Sequence, residues 1–162
     1  ANEPDLVLMG QPPNGLDVDA ADFMDNPLLL VAAPDHRLAK SKRLALKSLA
    51  DETFVVREPG SGTRLAMERF FSDYKFKPQS TVEMTGNEVI KQAIEVGLGL
   101  SVLSAHTVEL ELSAGRLVRL DVVGMPIIRR WYVAHRSGKR LTPTAQSFKQ
   151  FVLDEGKRQS GG

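Results

Sequence analysis

Short apolar runs alternate along the chain with longer stretches in which apolar residues recur every three or four positions. Runs bounded by turn residues predict buried strands, and the longer stretches predict amphipathic helices. The predicted strands are residues 5–9, 28–33, 53–57, 81–84, 100–103, 117–122 and 127–135. The predicted helices are 44–49, 62–74, 86–97, 104–115 and a last one that opens at Thr142-Pro143. This alternation favours an α/β fold with a mostly parallel sheet.

Residues 58–64 read Glu-Pro-Gly-Ser-Gly-Thr-Arg and separate a predicted strand from a predicted helix. The glycines allow a tight turn, and either Ser61 or Thr63 can be the N-cap. The first N–H groups of a helix lack intrahelical partners and lie at the positive end of its dipole. The turn therefore predicts a site for a small anion. The alternative is that Gly-Ser-Gly-Thr is only a well-capped turn.

A second helix start has the same character. Thr85-Gly86-Asn87-Glu88 fits a capping box, with Thr85 at the N-cap and Glu88 reaching back to it. If the two preceding strands are parallel neighbours, both helix starts face one crevice beyond their carboxyl ends. The residues expected to line it are Ser61, Gly62, Thr63, Arg64, Thr85, Gly86 and Asn87. Amides, hydroxyls and a guanidinium suit a carboxylate or phosphate, although Arg64 can equally be a solvated first-turn residue.

The composition is that of an ordinary globular protein. A chain of 162 residues that is 42% hydrophobic can bury a core and form one domain or two small lobes. No apolar run approaches the roughly 18 residues of a membrane span, and the N-terminus does not resemble a signal peptide. The absence of cysteine excludes disulfides and thiolate chemistry. We therefore expect a cytoplasmic protein without membrane association.

The net charge of +1 conceals an asymmetry between the ends of the chain. Residues 1–33 carry a net charge of −6, residues 127–162 carry +6, and the middle carries +1. One interpretation is that the basic end is a nucleic-acid-binding arm. The other, which we favour, is that the two ends fold together as one lobe. The basic residues are interleaved with strand and helix patterns, whereas an arm is more often a low-complexity tail.

No motif for catalysis or metal binding is present. The three histidines, His36, His106 and His135, lie far apart in the sequence and none is at ligand spacing from another. The chain contains no nucleophile elbow, Walker lysine or His-Glu-x-x-His motif. We expect no metal and no cofactor, and interpret the chain as a binding module rather than an enzyme.

Several segments in combination resemble LysR-type transcriptional regulators. The family's crossover segment usually reads His-Pro-Leu-Ala, where this chain has His36-Arg37-Leu38-Ala39. Within the family the resemblance is greatest to regulators of Calvin-cycle (carbon dioxide fixation) operons, and it covers nearly the whole chain. The segments that carry it are residues 26–39, 57–64, 86–93, 97–104 and 126–132.

The resemblance implies a two-lobed effector domain similar to a periplasmic binding protein. Lobe I would comprise residues 1–33 and 127–162, and lobe II residues 34–126. The family binds its coinducer between the lobes, which would place the predicted anion-binding residues on the lobe II wall. In Calvin-cycle regulators the effectors are phosphorylated metabolites or NADPH.

Two departures from the family pattern affect these expectations. The chain lacks a helix-turn-helix, so operator DNA would be bound only through a unit absent from it. The chain also begins at what resembles the second strand of lobe I. The first strand and helix, which supply a ligand-facing Ser or Thr and part of the dimer surface, would precede Ala1. Gln11 and the Pro12-Pro13 turn would be what remains of that wall.

The sequence thus predicts an effector-sensing domain that forms a homodimer or tetramer and controls carbon-fixation genes through a small anionic metabolite or NADPH. The alternative is a fragment of a solute-binding protein that transports a small anion. That alternative predicts a signal peptide upstream and a monomer. A phosphate-handling enzyme would need an acid–base pair in the cleft, which we do not find in the sequence.

Overall fold

The structure, a computed structural model, describes residues 4–160, with side chains described as far as Gln159. The elements are, in chain order, β1 (Val7–Met9), β2 (Val18–Asp25), β3 (Leu28–Ala32), a 3-10 helix (Leu46–Leu49), β4 (Thr53–Arg57), α1 (Gly62–Asp73), β5 (Ser80–Met84), α2 (Asn87–Glu95), β6 (Ser101–Ser104), α3 (Ala105–Ser113), β7 (Val118–Arg119), β8 (Arg130–Arg136) and α4 (Pro143–Ser160).

The chain divides into two compact units. The first unit comprises residues 1–26 and 128–162, and the second unit comprises residues 27–127. The lobe boundary expected from the sequence lay between residues 33 and 34, whereas the units divide between residues 26 and 27. The difference is β3, which pairs with β6 and β7 and therefore belongs to the second unit.

The first unit contains both ends of the chain in one antiparallel sheet. Its strand order is β1-β8-β2, with β8 in the centre. Across this sheet Arg130 Nη1 lies 2.9 Å from Asp22 Oδ2, and Lys139 Nζ lies 2.9 Å from Asp5 Oδ1. Parts of the acidic and basic ends of the chain thus lie in one unit and share one sheet.

Two predictions for the first unit were wrong in detail. Residues 5–9 were predicted to form a buried strand, but β1 has one strand neighbour within the described chain, and Val7 and Leu8 are exposed. The strand β2 was not predicted, because its acidic residues obscure a weak apolar alternation. The start of α4 at Pro143 is confirmed, with Ala145 and Val152 buried as expected, but Phe148 is 49% exposed rather than on the inner face.

The second unit has a mixed sheet, so the expectation of mostly parallel strands was wrong. The strands β4 and β5 are parallel, with partners from Thr53↔Ser80 to Arg57↔Met84. A parallel bridge between Phe54 and Leu100 places β4 beside the start of β6, while β3 pairs antiparallel with both β6 and β7. The helices α1 and α2 provide the crossovers that parallel pairing requires. The strand β3 runs antiparallel to β6, and therefore in the opposite direction to β4 and β5.

Helices cover both faces of this sheet. Alternate residues of β4 point to opposite faces of the sheet. Phe54 and Val56 pack with Phe70 and Phe71 of α1 on one face. Val55 points to the other face. On that face lie α2 and α3, through Ile90, Ile94 and Val108. The chain thus passes from β4 outward to β5 and returns past β4 to β6. In open α/β sheets, ligands bind beyond the carboxyl ends of the strands, at the point where successive connections leave in opposite directions.

A buried ion pair holds α2 to α3. Lys91 Nζ lies 2.5 Å from Glu111 Oε1 and 3.1 Å from the Thr107 carbonyl oxygen. Glu88 Oε1 lies 2.9 Å from the same ammonium group. Glu88 is therefore paired with Lys91 within α2, whereas the contacts of Lys91 with Glu111 and Thr107 join α2 to α3.

Candidate functional site

The start of α1 has the predicted cap. Ser61 is the N-cap residue in an extended conformation, and its Oγ accepts a hydrogen bond from Arg64 N at 3.3 Å. The first intrahelical hydrogen bond joins Leu65 N to Ser61 O at 3.1 Å. Gly62 and Thr63 come before Leu65 in the chain, so their N–H groups lie ahead of the first intrahelical hydrogen bond. Helix geometry directs these groups beyond the carboxyl end of β4.

A hollow of about 260 Å³ lies at this helix start. Its lining residues come from the turn after β4 and from the first two turns of α1. They are Pro59, Gly60, Ser61, Gly62, Arg64, Leu65 and Glu68. Three of the predicted site residues, Ser61, Gly62 and Arg64, therefore line one hollow.

The start of α2 differs from the prediction. Its N-cap is Gly86, with φ of 89°, and no side chain caps the helix. The predicted capping box from Thr85 to Glu88 is therefore wrong. The chain needs a positive φ to turn from β5 into α2, and glycine adopts that conformation without a steric cost.

Arg57 and Glu58 connect the two helix starts. Arg57 Nε and Nη2 each donate to a different Glu58 carboxylate oxygen at 2.8 Å, and Arg57 Nη1 donates to Asn87 Oδ1 at 2.7 Å. Gly86 N donates to Glu58 Oε2 at 3.4 Å, a long hydrogen bond. The end of β4 is thus joined to the cap and the first residue of α2.

The Arg57 guanidinium also determines the protonation state of Glu58. Its hydrogen bonds, together with backbone N–H groups including that of Gly86, lower the pKa of Glu58 to about 2. Glu58 is therefore ionised throughout the physiological pH range, and a fixed negative charge lies beside the start of α2.

Arg64, predicted either to contact an anion or to be a solvated first-turn residue, has carboxylate partners. Its Nε donates to Glu68 Oε1 at 2.9 Å, and its Nη1 donates to Glu83 Oε2 at 2.8 Å and to the Arg57 carbonyl oxygen at 2.9 Å. With Arg57 and Glu58, this corner contains two guanidinium groups and three carboxylates. Both arginines of this corner therefore already have carboxylate partners.

The remaining predicted residues lie in different places. Thr63 is half-buried in the first turn of α1, and Thr85 is exposed between β5 and α2. Gln11 is an exposed residue of the first unit, in the segment between β1 and β2. The structure therefore brings Ser61, Gly62 and Arg64 around the hollow and joins Gly86 and Asn87 to the end of β4.

Sequence reasoning missed Arg57, Glu58 and Glu83 as parts of this corner. Arg57 and Glu58 immediately precede the Pro-Gly turn, and that position at the end of a strand was the available signal. The contact of Glu83 with Arg64 depends on the pairing of β5 with β4 and has no local signature.

A metal site and a membrane span find no support in residues 4–160. No group of three or more His, Cys, Asp or Glu side chains is placed to hold a metal ion there. His36 Nε2 instead lies 3.0 Å from Glu52 Oε2. No helix in this range is long and apolar enough to cross a membrane.

Comparison with known proteins identifies the family. The family model of the LysR substrate binding domain matches residues 1–157. The RuBisCO operon transcriptional regulator of Allochromatium vinosum is 56% identical over 158 residues, covering 98% of this chain and 52% of that protein. The HTH-type transcriptional regulator CfxR of Cupriavidus necator is 46% identical over 153 residues, covering 94% and 48% respectively.

A solved structure agrees with this relationship. The regulatory domain of CcmR from Synechocystis PCC6803, in complex with 2-PG, matches with a TM-score of 0.89 and 41% identity. The match covers 96% of this chain and 74% of that chain. The chain spans about half the length of the curated relatives that it matches. It belongs to the LysR substrate-binding domain family.

Proposed function

We propose that this chain is the effector-sensing domain of a LysR-type transcriptional regulator that controls carbon-fixation genes in response to a small phosphorylated anion or NADPH. The observation that carries the proposal is the pair of helix starts beyond the adjacent carboxyl ends of β4 and β5. The names of the relatives support the regulatory role, and the CcmR complex with 2-PG supports the class of ligand.

In this proposal the second unit supplies one wall of the effector site. The early N–H groups of α1 and the hydroxyls of Ser61, Thr63 and Thr85 donate to the anion, and Asn87 supplies an amide. Such a site uses the partial positive charge of a helix start together with neutral donors, which is a common way to bind phosphate.

The regulatory effect follows from differential binding. An effector that binds one arrangement of the domain more tightly than another shifts the population toward the first. In a homodimer or tetramer, that shift changes how the DNA-binding units of the whole regulator are presented to operator DNA. We place those units in a helix-turn-helix outside this chain and the whole regulator in the cytoplasm.

A calorimetric titration of the intact regulatory domain with 2-PG and with NADPH tests the proposal. Thr63→Ala and Thr85→Ala should each weaken binding of the active compound by about three- to tenfold, because each removes one hydrogen-bond donor. Neither variant should unfold the domain. Thr81→Ala, at an exposed position earlier in β5, is the matched control and should bind like the wild type.

Two results would count against the proposal in different ways. Unchanged affinity in both threonine variants would remove the site assignment while leaving the ligand class intact. Failure of the wild-type domain to bind either compound would remove the proposed effector class.

A further inference from the structure

We infer that the first unit contains a second anion site, a basic hollow between the end of β8 and α4 that binds a phosphate-bearing small molecule. The residues that define this basic hollow include His135, Lys139, Arg140, Gln146, Lys149 and Gln150. All of them belong to the first unit, whereas the helix starts of the candidate effector site belong to the second. The inference therefore does not depend on the proposed function, and it assigns a role to the basic end of the chain.

Local structure brings these side chains together from separate segments. His135 lies near the end of β8, and Lys139 comes directly after the turn that ends this strand. On α4, Gln146, Lys149 and Gln150 are three and four residues apart, so they lie on one face of the helix. The space that they enclose is about 700 Å³, which is within the usual range for sites that bind small molecules.

The charges around the basic hollow are not balanced. Its lining includes the cations Lys139, Arg140 and Lys149, and no described Asp or Glu lines it. Lys139 Nζ lies 2.9 Å from Asp5 Oδ1. Among residues 4–160, no carboxylate is paired with Arg140 or with Lys149. Two positive charges therefore line the hollow without compensation, which matches the charge of a phosphate monoester dianion.

The Lys149 ammonium group lies against an imidazole ring rather than a carboxylate. His135 Nδ1 donates to the Arg136 carbonyl oxygen at 3.1 Å, which leaves Nε2 as an acceptor for Lys149 Nζ at 3.3 Å. The ring is therefore neutral in this contact, and it holds the ammonium group without cancelling its charge. Lys149 is half-buried, so its charge is screened less by solvent than that of a fully exposed lysine.

A second hollow beside α4 shows that this imbalance is not a general property of the helix. That hollow is about 340 Å³, and its lining includes Asp22, Asp25, Arg130 and Lys157. Arg130 Nη1 lies 2.9 Å from Asp22 Oδ2, and Arg130 Nε lies 3.5 Å from Asp25 Oδ1. Two carboxylates therefore offset two cations there, and an anion would gain little by binding. The basic hollow is the one suited to an anion.

The donors of the basic hollow favour a phosphate group over a simple carboxylate. A phosphate dianion carries a second negative charge, so its attraction to the uncompensated cations is about twice as strong at equal distance. Arg140 and Lys149 supply the charge-assisted donors that phosphate oxygens accept from. Gln150 Nε2 donates to Asp154 Oδ1 at 2.9 Å, which leaves its amide oxygen, with the amide of Gln146, for the uncharged part of a polar ligand.

The test is an NMR titration of the full chain with pyrophosphate and with acetate at constant ionic strength. Pyrophosphate should shift the amide signals of residues 135–150 in a saturable way, and acetate should bind there more weakly. Lys149→Gln removes the charge but keeps an N–H donor for His135, and it should weaken pyrophosphate binding about tenfold. Arg140→Gln, at an exposed position, should weaken it about three- to fivefold.

Lys157→Gln is the matched control, since it removes the same charge from the same helix but lies outside the basic hollow. It should leave pyrophosphate binding at the hollow unchanged. A loss equal to that of Lys149→Gln would show that only the overall charge of α4 matters, and would overturn the inference. Arg140 is exposed, so its variant decides the question if Lys149→Gln does not fold.

Three further results would overturn the inference. The first is unchanged pyrophosphate affinity in both Lys149→Gln and Arg140→Gln. The second is a response of residues 135–150 to duplex DNA but not to pyrophosphate. The third is a response to pyrophosphate confined to residues 57–64 and 85–87, which would leave the proposed function intact.

Discussion

At the scale of single residues, the adjacent pair Arg57 and Glu58 combines a structural role with an electrostatic one. The arginine bridges Glu58 and Asn87 and so closes the corner between the ends of β4 and β5. It also holds the pKa of Glu58 at about 2, against an ordinary value of 4.5. Both roles depend on the guanidinium having donors in two directions, which lysine could not reproduce.

Replacing Arg57 by methionine should raise the pKa of Glu58 toward 4.5, and carbon-detected NMR of the Glu58 carboxyl group measures it directly. A group whose pKa is lowered on folding stabilises the folded state above its unfolded pKa, and that contribution is lost as the pH falls. The wild type should therefore lose stability between pH 4.5 and about 2, and Arg57→Met should lose less over this window. An unchanged Glu58 titration in the variant would show that Arg57 is not the cause.

Local signals were sufficient for some of these residues and insufficient for others. Ser61 was predicted as a cap because a serine between two glycines before an amphipathic helix is a local pattern. The contact of Arg64 with Glu83 could not be predicted, because Glu83 lies 19 residues away and is brought near only by strand pairing. The Thr85 cap failed because Gly86 has the positive φ that the turn requires.

At the scale of elements, the Gly97-Leu98-Gly99 segment shows how closely α2 must return to the sheet. Leu100 N donates to Thr53 O at 2.8 Å, which brings the segment against the start of β4. A Cβ on Gly99 would lie 2.2 Å from Thr53 O, while a Cβ on Gly97 would meet nothing within 4 Å. Gly97 instead has a φ of 85°.

The two glycines should therefore differ in the cost of substitution by alanine. Gly99→Ala should lower the free energy of unfolding by about 3 kcal/mol, the upper end of the usual cost of overpacking, because the backbone of β4 has to move. Gly97→Ala should cost only about 1–2 kcal/mol, the conformational penalty of a side chain at a positive φ. Urea denaturation of both variants measures the difference, and equal costs would contradict the close approach at Gly99.

The order of elements from β4 to α3 was predictable because each strand and helix there has the period of its own structure. The direction of the strands was less predictable from the sequence. Alternation of strands and helices predicts parallel pairing only where a helix makes the connection, as α1 and α2 do. The opposite direction of β3 follows from its pairing with β6 and β7, which no local pattern reveals.

At the scale of the whole molecule, the buried apolar residues are distributed very unevenly. Both hydrophobic clusters of the described chain lie within the second unit. In the first unit, the buried apolar residues described are Val133, Ala134, Ala145 and Val152. Since apolar burial is the main favourable term in folding, the second unit has the larger share of it.

Residues 27–127 alone should therefore fold cooperatively, as seen by a sigmoidal thermal transition in circular dichroism and dispersed amide signals. Residues 1–26 joined to 128–162 by a short glycine-serine linker are the comparison and should show no such transition. A disordered 27–127 fragment would contradict this distribution of stability.

The central place of β8 in its sheet has a consequence for biosynthesis. Within the described chain β1 and β2 both pair with β8 and not with each other. During translation, residues 7–25 leave the ribosome long before residues 130–136 exist, so β8 is not yet available to β1 or β2 while the intervening segment emerges. The inserted segment can complete its own core in that interval. The strands β1 and β2 are therefore among the last elements of this chain to acquire β8 as their native neighbour.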